Sequence, residues 1–159
     1  MKTMIIYASR YGLTAEAATE IAARLDGEIT TINIARDVMP DLDNDDRIII
    51  GSSIYMGQAD KQVRQWVQKN QVILEMKKLG FFLCCGLPEN FDAYLEQAFG
   101  AALTSQAATV CLGGELKTDK MRWMDRFIAG MMTRAAQKEG NPLPERHFER
   151  INDFLERLN

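Results

Sequence analysis

Residues 3–22 of this chain read Thr3-Met-Ile-Ile-Tyr-Ala-Ser-Arg-Tyr-Gly-Leu-Thr-Ala-Glu-Ala-Ala-Thr-Glu-Ile-Ala22. The apolar run from Met4 to Ala8 is short and ends in polar residues, which is typical of a buried strand. An alanine-rich segment with apolar residues at helical spacing follows, and we predict a helix there. The stretch therefore predicts a strand, a loop and a helix in immediate succession.

The loop between this strand and helix has the features of a phosphate site. It consists of Ser9, Arg10, Tyr11, Gly12, Leu13 and Thr14. Free backbone N–H groups and the helix dipole favour an anion at the start of a helix. Ser9 and Thr14 add hydroxyl donors, and Gly12 lets the backbone approach a ligand closely. The alternative is an ordinary turn, because a single short motif also occurs without function.

The absence of certain residues from this loop indicates which class of phosphate-containing ligand it could bind. It has neither the lysine of a Walker A motif nor the three glycines of a dinucleotide-binding turn. A triphosphate with magnesium, or a pyrophosphate, therefore fits poorly. A single terminal phosphomonoester held by hydroxyl and amide groups fits better, and this points to FMN.

Length and composition favour a single globular domain spanning residues 1–159. The chain is 47% hydrophobic and 26% charged, which is ordinary for such a domain. A net charge of −3 argues against nucleic acid as the main partner. No signal-peptide pattern is present, and no apolar run reaches the roughly 20 residues of a membrane-spanning helix. We therefore expect a cytoplasmic protein.

Three cysteines, Cys84, Cys85 and Cys111, lie in apolar runs without the spacing of a metal site. We expect buried, reduced thiols, as is usual in the cytosol. Adjacent residues of a strand point to opposite faces, which disfavours a disulfide between Cys84 and Cys85.

Strands and helices alternate along the whole chain. The predicted strands are residues 4–8, 28–34, 47–53, 81–85 and 107–112. After the helix that follows the first strand, the predicted helices are residues 61–69, 91–103, about 122–138 and 145–158. This alternation predicts an α/β fold with a doubly wound parallel sheet and helices on both faces.

The loop Ser9–Thr14 resembles the phosphate loop of the flavodoxin family, whose pattern is Ser/Thr-x-Thr/Asp-Gly-x-Thr. Three of its four characteristic positions agree. The resemblance implies FMN as the cofactor and a flavodoxin-like five-stranded sheet in the order 2-1-3-4-5. In such sheets the ligand lies beyond the carboxyl ends of the strands, at the switch point beside strand 1. That rule brings together the loops 9–14, 52–58 and 86–91.

The second of these loops contains Ser52, Ser53, Ile54, Tyr55, Met56 and Gly57. Tyr55 has the aromatic face needed to stack on a flavin ring. Met56-Gly57 resembles a turn in some flavodoxins where a peptide flips as the flavin changes redox state. Glycine allows such a flip at a low cost in free energy, because it adopts positive φ readily. The alternative is an ordinary turn before the next helix.

The third loop starts with Gly86 and Leu87 and lacks the tyrosine or tryptophan that flavodoxins usually place over the ring. Leu87, Phe91 or bare backbone would have to take that role. Gly86 and Leu87 complete the set of predicted cofactor-binding residues. The sequence indicates neither a catalytic residue nor a metal ligand.

The motif Arg122-Trp123-Met124-Asp125-Arg126-Phe127 resembles a segment of the menaquinone-dependent protoporphyrinogen oxidases, which are flavodoxin-like enzymes. Residues 51–54 and 148–154 are also similar. The resemblance implies a porphyrinogen-oxidising function as an alternative. Two departures weigh against it: the enzymes carry a longer basic insertion near the fourth strand, where residues 86–92 are short and acidic, and Met56 replaces a typical tyrosine.

The segment 113–139 has its own charge pattern. Residues 115–139 contain six basic and four acidic groups, a net charge of +2 in an acidic protein. A basic amphipathic helix is compatible with contact to the inner face of a membrane or with a quinone groove. The alternative is that its apolar stripe packs against the sheet.

Three functions follow from the sequence. The first is an FMN-dependent oxidoreductase or electron-transfer protein that works with a redox partner protein or a quinone-like acceptor. The second is menaquinone-dependent oxidation of protoporphyrinogen. The third is a binding module that uses the same fold without flavin. The sequence does not indicate an oligomeric state.

Overall fold

The computed structural model describes residues 1–114, 127, 130, 131, 133–135 and 144–159. The strands within these residues are β1 (Lys2–Ala8), β2 (Glu28–Asn33), β3 (Arg47–Tyr55), β4 (Gln58–Ala59), β5 (Lys78–Cys84) and β6 (Ala108–Cys111). The helices that lie wholly within these residues are α1 (Leu13–Ala23), α2 (Lys61–Lys69), α3 (Gln71–Leu74), α4 (Phe91–Phe99), α5 (Ala101–Thr104) and α6 (Ile151–Leu158). Short 3-10 turns at Pro88–Asn90 and Phe148–Arg150 lead into α4 and α6.

Five of the strands form a parallel sheet in the order β2-β1-β3-β5-β6. Because β5 and β6 are the fourth and fifth predicted strands, the predicted order 2-1-3-4-5 is confirmed. The short strand β4 was not predicted. It pairs antiparallel with the end of β3, and two residues are too few to produce a periodic pattern.

The sheet is buried on both faces, as the uninterrupted apolar runs of its central strands predict. In β5, Phe81 and Leu83 pack in the cluster formed with α2, α4 and α5. Phe82 and Cys84 pack in the opposite cluster, formed with α1 and α6. Cys85 contacts Cys111, the partner of Leu83 in the sheet, so Cys84 and Cys85 lie on opposite faces, as predicted.

A glycine in the middle of the sheet leaves the space that one aromatic ring occupies. Gly51 lies opposite Phe82 in the pairing of β3 with β5. A Cβ atom at position 51 would overlap the fully buried ring of Phe82. The absence of a side chain at Gly51 is therefore a packing requirement rather than a turn requirement.

Two predicted helices differ from the structure. The helix predicted at 91–103 is divided into α4 and α5 by Gly100, whose φ is 80°. The last helix begins at Ile151 instead of 145, because Arg146 forms an isolated antiparallel bridge with Gly113. Most of the helix predicted at 122–138 lies outside the described residues.

The turn between β3 and β4 has an unusual backbone. Ile54 pairs with Ala59 and Tyr55 with Gln58, which leaves a two-residue loop of Met56 and Gly57. Their φ angles are 52° and 77°, and two positive values in succession define a type I′ hairpin turn. Among the described residues, Met56 is the one non-glycine residue with a positive φ. A left-handed conformation costs about 1 kcal/mol for a residue of this kind.

We expect Met56→Asn to increase the free energy of unfolding by about 0.5–1 kcal/mol, because asparagine tolerates positive φ and Asn-Gly is a favoured type I′ pair. Equilibrium urea unfolding measures the change. Met76→Asn is the matched control, since Met56 and Met76 are 70% and 74% exposed but only Met56 has a positive φ. Equal effects of the two substitutions would contradict the assignment of strain to Met56.

Candidate functional site

The ends of three neighbouring strands bring the three predicted loops to one edge of the sheet. Ala8 at the end of β1 lies opposite Ser52, and Ser53 lies opposite Cys84 at the end of β5. Adjacent strands in a sheet are about 4.8 Å apart, so the loops that follow start side by side. The connections of β1 and β3 diverge here, which is where α/β sheets bind their ligands.

The loop after β1 is folded around a hydrogen bond between its own residues. The hydroxyl of Ser9 accepts a hydrogen bond of 3.0 Å from the backbone N–H of Gly12. Gly12 has a φ of 101° and is the residue that precedes α1. No described side chain caps α1, which leaves N–H groups of its first turn for a ligand. An anion is the ligand that these groups and the helix dipole favour.

The hydroxyl of Thr14, in this same first turn, is buried without a partner among the described residues. The side chain is 1% exposed, and its Oγ1 has no hydrogen bond to any described residue. An unsatisfied buried polar group costs about 1–3 kcal/mol. Burial raises the pKa of the nearby Cys84 thiol to about 12, and the proximity of the Thr14 hydroxyl only partly opposes this. The hydroxyl suits a ligand oxygen better than it suits this thiol.

Arg10 connects the loop after β1 with the hairpin after β3. Its guanidinium carbon lies 3.6 Å from the centroid of the Tyr55 ring and 5.4 Å from that of Tyr11. Its Nε donates a hydrogen bond of 3.1 Å to the Tyr11 hydroxyl. The predicted proximity of the two loops is therefore present. A flat ligand can stack on this face of Tyr55 only after Arg10 moves.

Ser52 supports the hairpin from inside the protein. Its buried hydroxyl accepts a hydrogen bond of 2.9 Å from the Asp60 N–H and donates one of 2.9 Å to the carbonyl of Ser53. Asp60 in turn caps α2 by accepting from the N–H groups of Gln62 and Val63. Ser52 thus joins the hairpin to the start of α2, and its hydroxyl is already used within the protein.

Two other predicted residues direct their side chains towards the core. Leu13 is buried in the cluster beside α1, and Ile54 is partly buried against the opposite cluster. Any contact that Leu13 and Ile54 make with a ligand in the crevice would therefore come mainly from the backbone. Met56, in contrast, is exposed at the tip of the hairpin.

The third loop, at Gly86 and Leu87, offers backbone groups and the apolar side chain of Leu87 to the candidate site. Gly86 and Leu87 are exposed, and the carbonyl of Leu87 accepts a hydrogen bond of 3.1 Å from the N–H of Asn90. Phe91 is partly buried against the core, so its ring already has packing partners inside the protein. A Cβ atom at Gly114 would lie 3.0 Å from the Cα of Gly86. The loops after β5 and β6 are therefore in close contact.

Sequence reasoning missed a cation beside the first turn of α1. Arg146 lies 2.9 Å from the carboxylate of Glu16, and its guanidinium carbon is 4.9 Å from the Phe148 ring centroid. The bridge with Gly113 holds Arg146 there. Gly113 has a φ of 77°, and a Cβ atom would overlap the carbonyl of Glu145. In the sequence, the pair Gly113-Gly114 was the available signal that another backbone segment packs closely here. The segment that does so was not recognised, because the chain from residue 145 was predicted to be helical.

Little of the segment 113–139 lies within the described residues, and residues 122–126 of the motif Arg122–Phe127 lie outside them. Phe127 and Met131, two apolar residues of this segment, are 68% and 52% exposed. In the part of the chain that the structure describes, no helix has the length and apolar character needed to cross a membrane. The same part contains no cluster of residues suited to a metal ion.

Comparison with known proteins gives a consistent result. Over 99% of its length this chain is 26% identical to the protoporphyrinogen IX dehydrogenase (quinone) of Escherichia coli (strain K12), 94% of which is covered. The Streptococcus pneumonia TIGR4 flavodoxin has a TM-score of 0.58 and 16% identity, with 99% of this chain and 97% of that chain covered.

A flavoprotein from Lactobacillus acidophilus NCFM, solved in complex with FMN, has a TM-score of 0.54 at 16% identity. The match covers 69% of this chain and 91% of that one. At such identities the solved structures establish the fold. Residues 4–142 match the family described as Flavodoxin domain, and the chain therefore belongs to the flavodoxin-domain family.

Proposed function

We propose that this protein is an FMN-binding oxidoreductase or electron-transfer protein. The observation that carries the proposal is the buried hydroxyl of Thr14, which has no partner among the described residues and belongs to the uncapped first turn of α1. It lies in the loop with the flavodoxin phosphate pattern, in a chain of the flavodoxin-domain family.

The residues present fit the terminal phosphate of FMN. Backbone N–H groups at Leu13, Thr14 and Ala15 and the hydroxyl of Thr14 would donate hydrogen bonds to its oxygens. Ser9 would keep the loop in shape, because its hydroxyl already accepts from Gly12. Arg146 adds a positive charge beside this turn, although it is shared with Glu16.

The flavin ring would lie between the hairpin Tyr55–Gln58 and the loop at Gly86 and Leu87. FMN supplies one- and two-electron transfer at its ring. The role of this chain is then to orient the ring, exclude water from it and leave one edge accessible. The exposed side chains of Met56 and Leu87 would offer an apolar contact at that edge to a redox partner protein or a quinone-like acceptor.

The absorbance spectrum of the purified protein is the first test. We expect flavin bands, with FMN released by heat at close to one per chain. If the protein is colourless, incubation with FMN followed by gel filtration should restore the bands. A protein that takes up no FMN under either condition would contradict the proposal and favour the flavin-free binding module.

Thr14→Val should separate the ligand role of the hydroxyl from its structural role. The free energy of unfolding of the flavin-free protein should stay equal or rise by about 1 kcal/mol, because an unsatisfied buried hydroxyl is removed. The Kd for FMN should rise by about tenfold or more, because a charge-assisted hydrogen bond is lost.

Fluorescence titration with FMN and urea unfolding give the two quantities. Thr19→Val is the matched control: Thr19 lies exposed on the same helix, and its hydroxyl donates to the carbonyl of Ala15. An unchanged Kd in Thr14→Val would show that the phosphate loop is assigned wrongly.

A second candidate is the quinone-dependent oxidation of a porphyrinogen. Its support is the similarity to the Escherichia coli dehydrogenase, which extends over nearly the whole of both chains. The short acidic sequence Gly86–Asp92 counts against it, because an acidic porphyrinogen favours basic contacts. This second proposal includes a location. The protein would be cytoplasmic, and its basic segment 113–139 would contact the inner face of a membrane.

If this candidate is correct, protein loaded with FMN should convert protoporphyrinogen to fluorescent protoporphyrin under anaerobic conditions when menaquinone is added. The rate should depend on both the protein and the quinone. Absence of quinone-dependent conversion by protein whose flavin can be reduced and reoxidised would exclude this substrate and leave the electron-transfer function intact.

A further inference from the structure

Two buried cysteines meet at the edge of the sheet that carries the candidate site. The sulfur of Cys85 lies 3.2 Å from that of Cys111. Cys111 ends β6 opposite Leu83, and Cys85 follows Leu83 by two positions, so both side chains are on the same face of the sheet. Within the described residues, Cys84 has no such sulfur partner and packs on the other face.

The surroundings of the two thiols are unequal. Hydrogen bonding with Cys85, the backbone N–H of Gly113 and the charge of Arg150 together lower the pKa of the Cys111 thiol to about 6, against the effect of burial. The same contact with Cys111, together with burial, raises the pKa of Cys85. Arg150 is held at this strand end by a hydrogen bond of 3.1 Å from its Nη1 to the carbonyl of Cys111. Cys111 is therefore the sulfur of the pair that loses its proton more readily, and Cys85 is the one that keeps it.

We propose that Cys85 and Cys111 form a redox centre of their own, a dithiol that hydroperoxides oxidise to a disulfide. The thiolate of Cys111 attacks the terminal hydroxyl oxygen of the peroxide, and the O–O bond breaks. Cys111 becomes a sulfenic acid, and the hydroxide or alkoxide that leaves takes up a proton from the solvent to give water or an alcohol. The sulfur of Cys85 then attacks the sulfur of Cys111, the S–O bond breaks, and the proton of Cys85 leaves with the oxygen as water. With hydrogen peroxide, two thiols and one peroxide give one disulfide and two waters.

A short movement completes this reaction. Cys85 and Cys111 are 2% and 7% exposed, so the oxidant must be small. Cys85 is followed directly by the exposed residues 86–90, and opening of this loop would admit a peroxide. The sulfurs must then approach to about 2.05 Å, a shift of about 1 Å that the loop can absorb more easily than the paired strands. The inference does not rest on FMN binding.

The test uses protein that has been reduced, freed of flavin and treated with a small excess of hydrogen peroxide. Titration of the denatured protein should count three thiols before the treatment and one after it, since the chain has three cysteines. Peptide mapping without reductant should identify a link between Cys85 and Cys111, with Cys84 still reduced. Dithiothreitol should restore all three thiols.

Three variants assign the roles. Cys84→Ser is the matched control and should still form the link. Cys85→Ser should form none and should accumulate a sulfenic acid at Cys111 that dimedone traps, whereas Cys111→Ser should leave Cys85 unmodified. The proposal is overturned if the wild-type protein keeps all its thiols, or if the disulfide includes Cys84 or joins two chains. Because flavin is absent from the assay, these outcomes are independent of the FMN titrations.

Discussion

Because the parallel strands end in register, the loops that follow them begin at the same edge of the sheet. The candidate site depends on this arrangement more than on any single contact. Ala8, Ser52, Ser53 and Cys84 fix the register of β1, β3 and β5. The loops also contact one another through the stacking of Arg10 on Tyr55 and the close approach of Gly86 to Gly114. Their positions come from the buried strands, which supply most of the packing energy.

Polar groups at this edge divide into two kinds. The hydroxyls of Ser9 and Ser52 and the carboxylate of Asp60 are used within the protein, where they shape the loops and cap α2. The hydroxyl of Thr14 is the exception, because it is buried and unpaired in the described structure. A fold tolerates such a group when function compensates for its cost in stability. The contrast between these groups is the physical basis of the proposed phosphate site.

Much of the fold could be predicted because the central strands are continuous apolar runs and the helices are amphipathic. The family pattern and the resulting prediction of FMN agree with the flavodoxin-domain match. What could not be predicted depends on contacts between distant residues. Arg146 reaches the site through a bridge with Gly113, and the contact of Cys85 with Cys111 follows from a strand register that no local pattern encodes.

The site residues were predicted as one set, but the structure separates their roles. Ser52 lies inside because it belongs to the buried part of β3, residues 47–52, which the predicted strand already included. Alternation along a strand then decides which side chains face the crevice. The Ser52 hydroxyl is therefore used for hydrogen bonds to Ser53 and Asp60, which are contacts that no local sequence pattern encodes.

The close packing of Gly51 against Phe82 also limits how the sheet can evolve. A larger side chain at 51 collides with the ring, and a smaller one at 82 leaves a cavity in the core. Each change alone is unfavourable, so a larger residue at position 51 is tolerated only when the residue at position 82 becomes smaller at the same time. Relatives that carry a side chain at position 51 should therefore carry a small residue at position 82. This covariation would identify the pairing of β3 with β5 in an alignment.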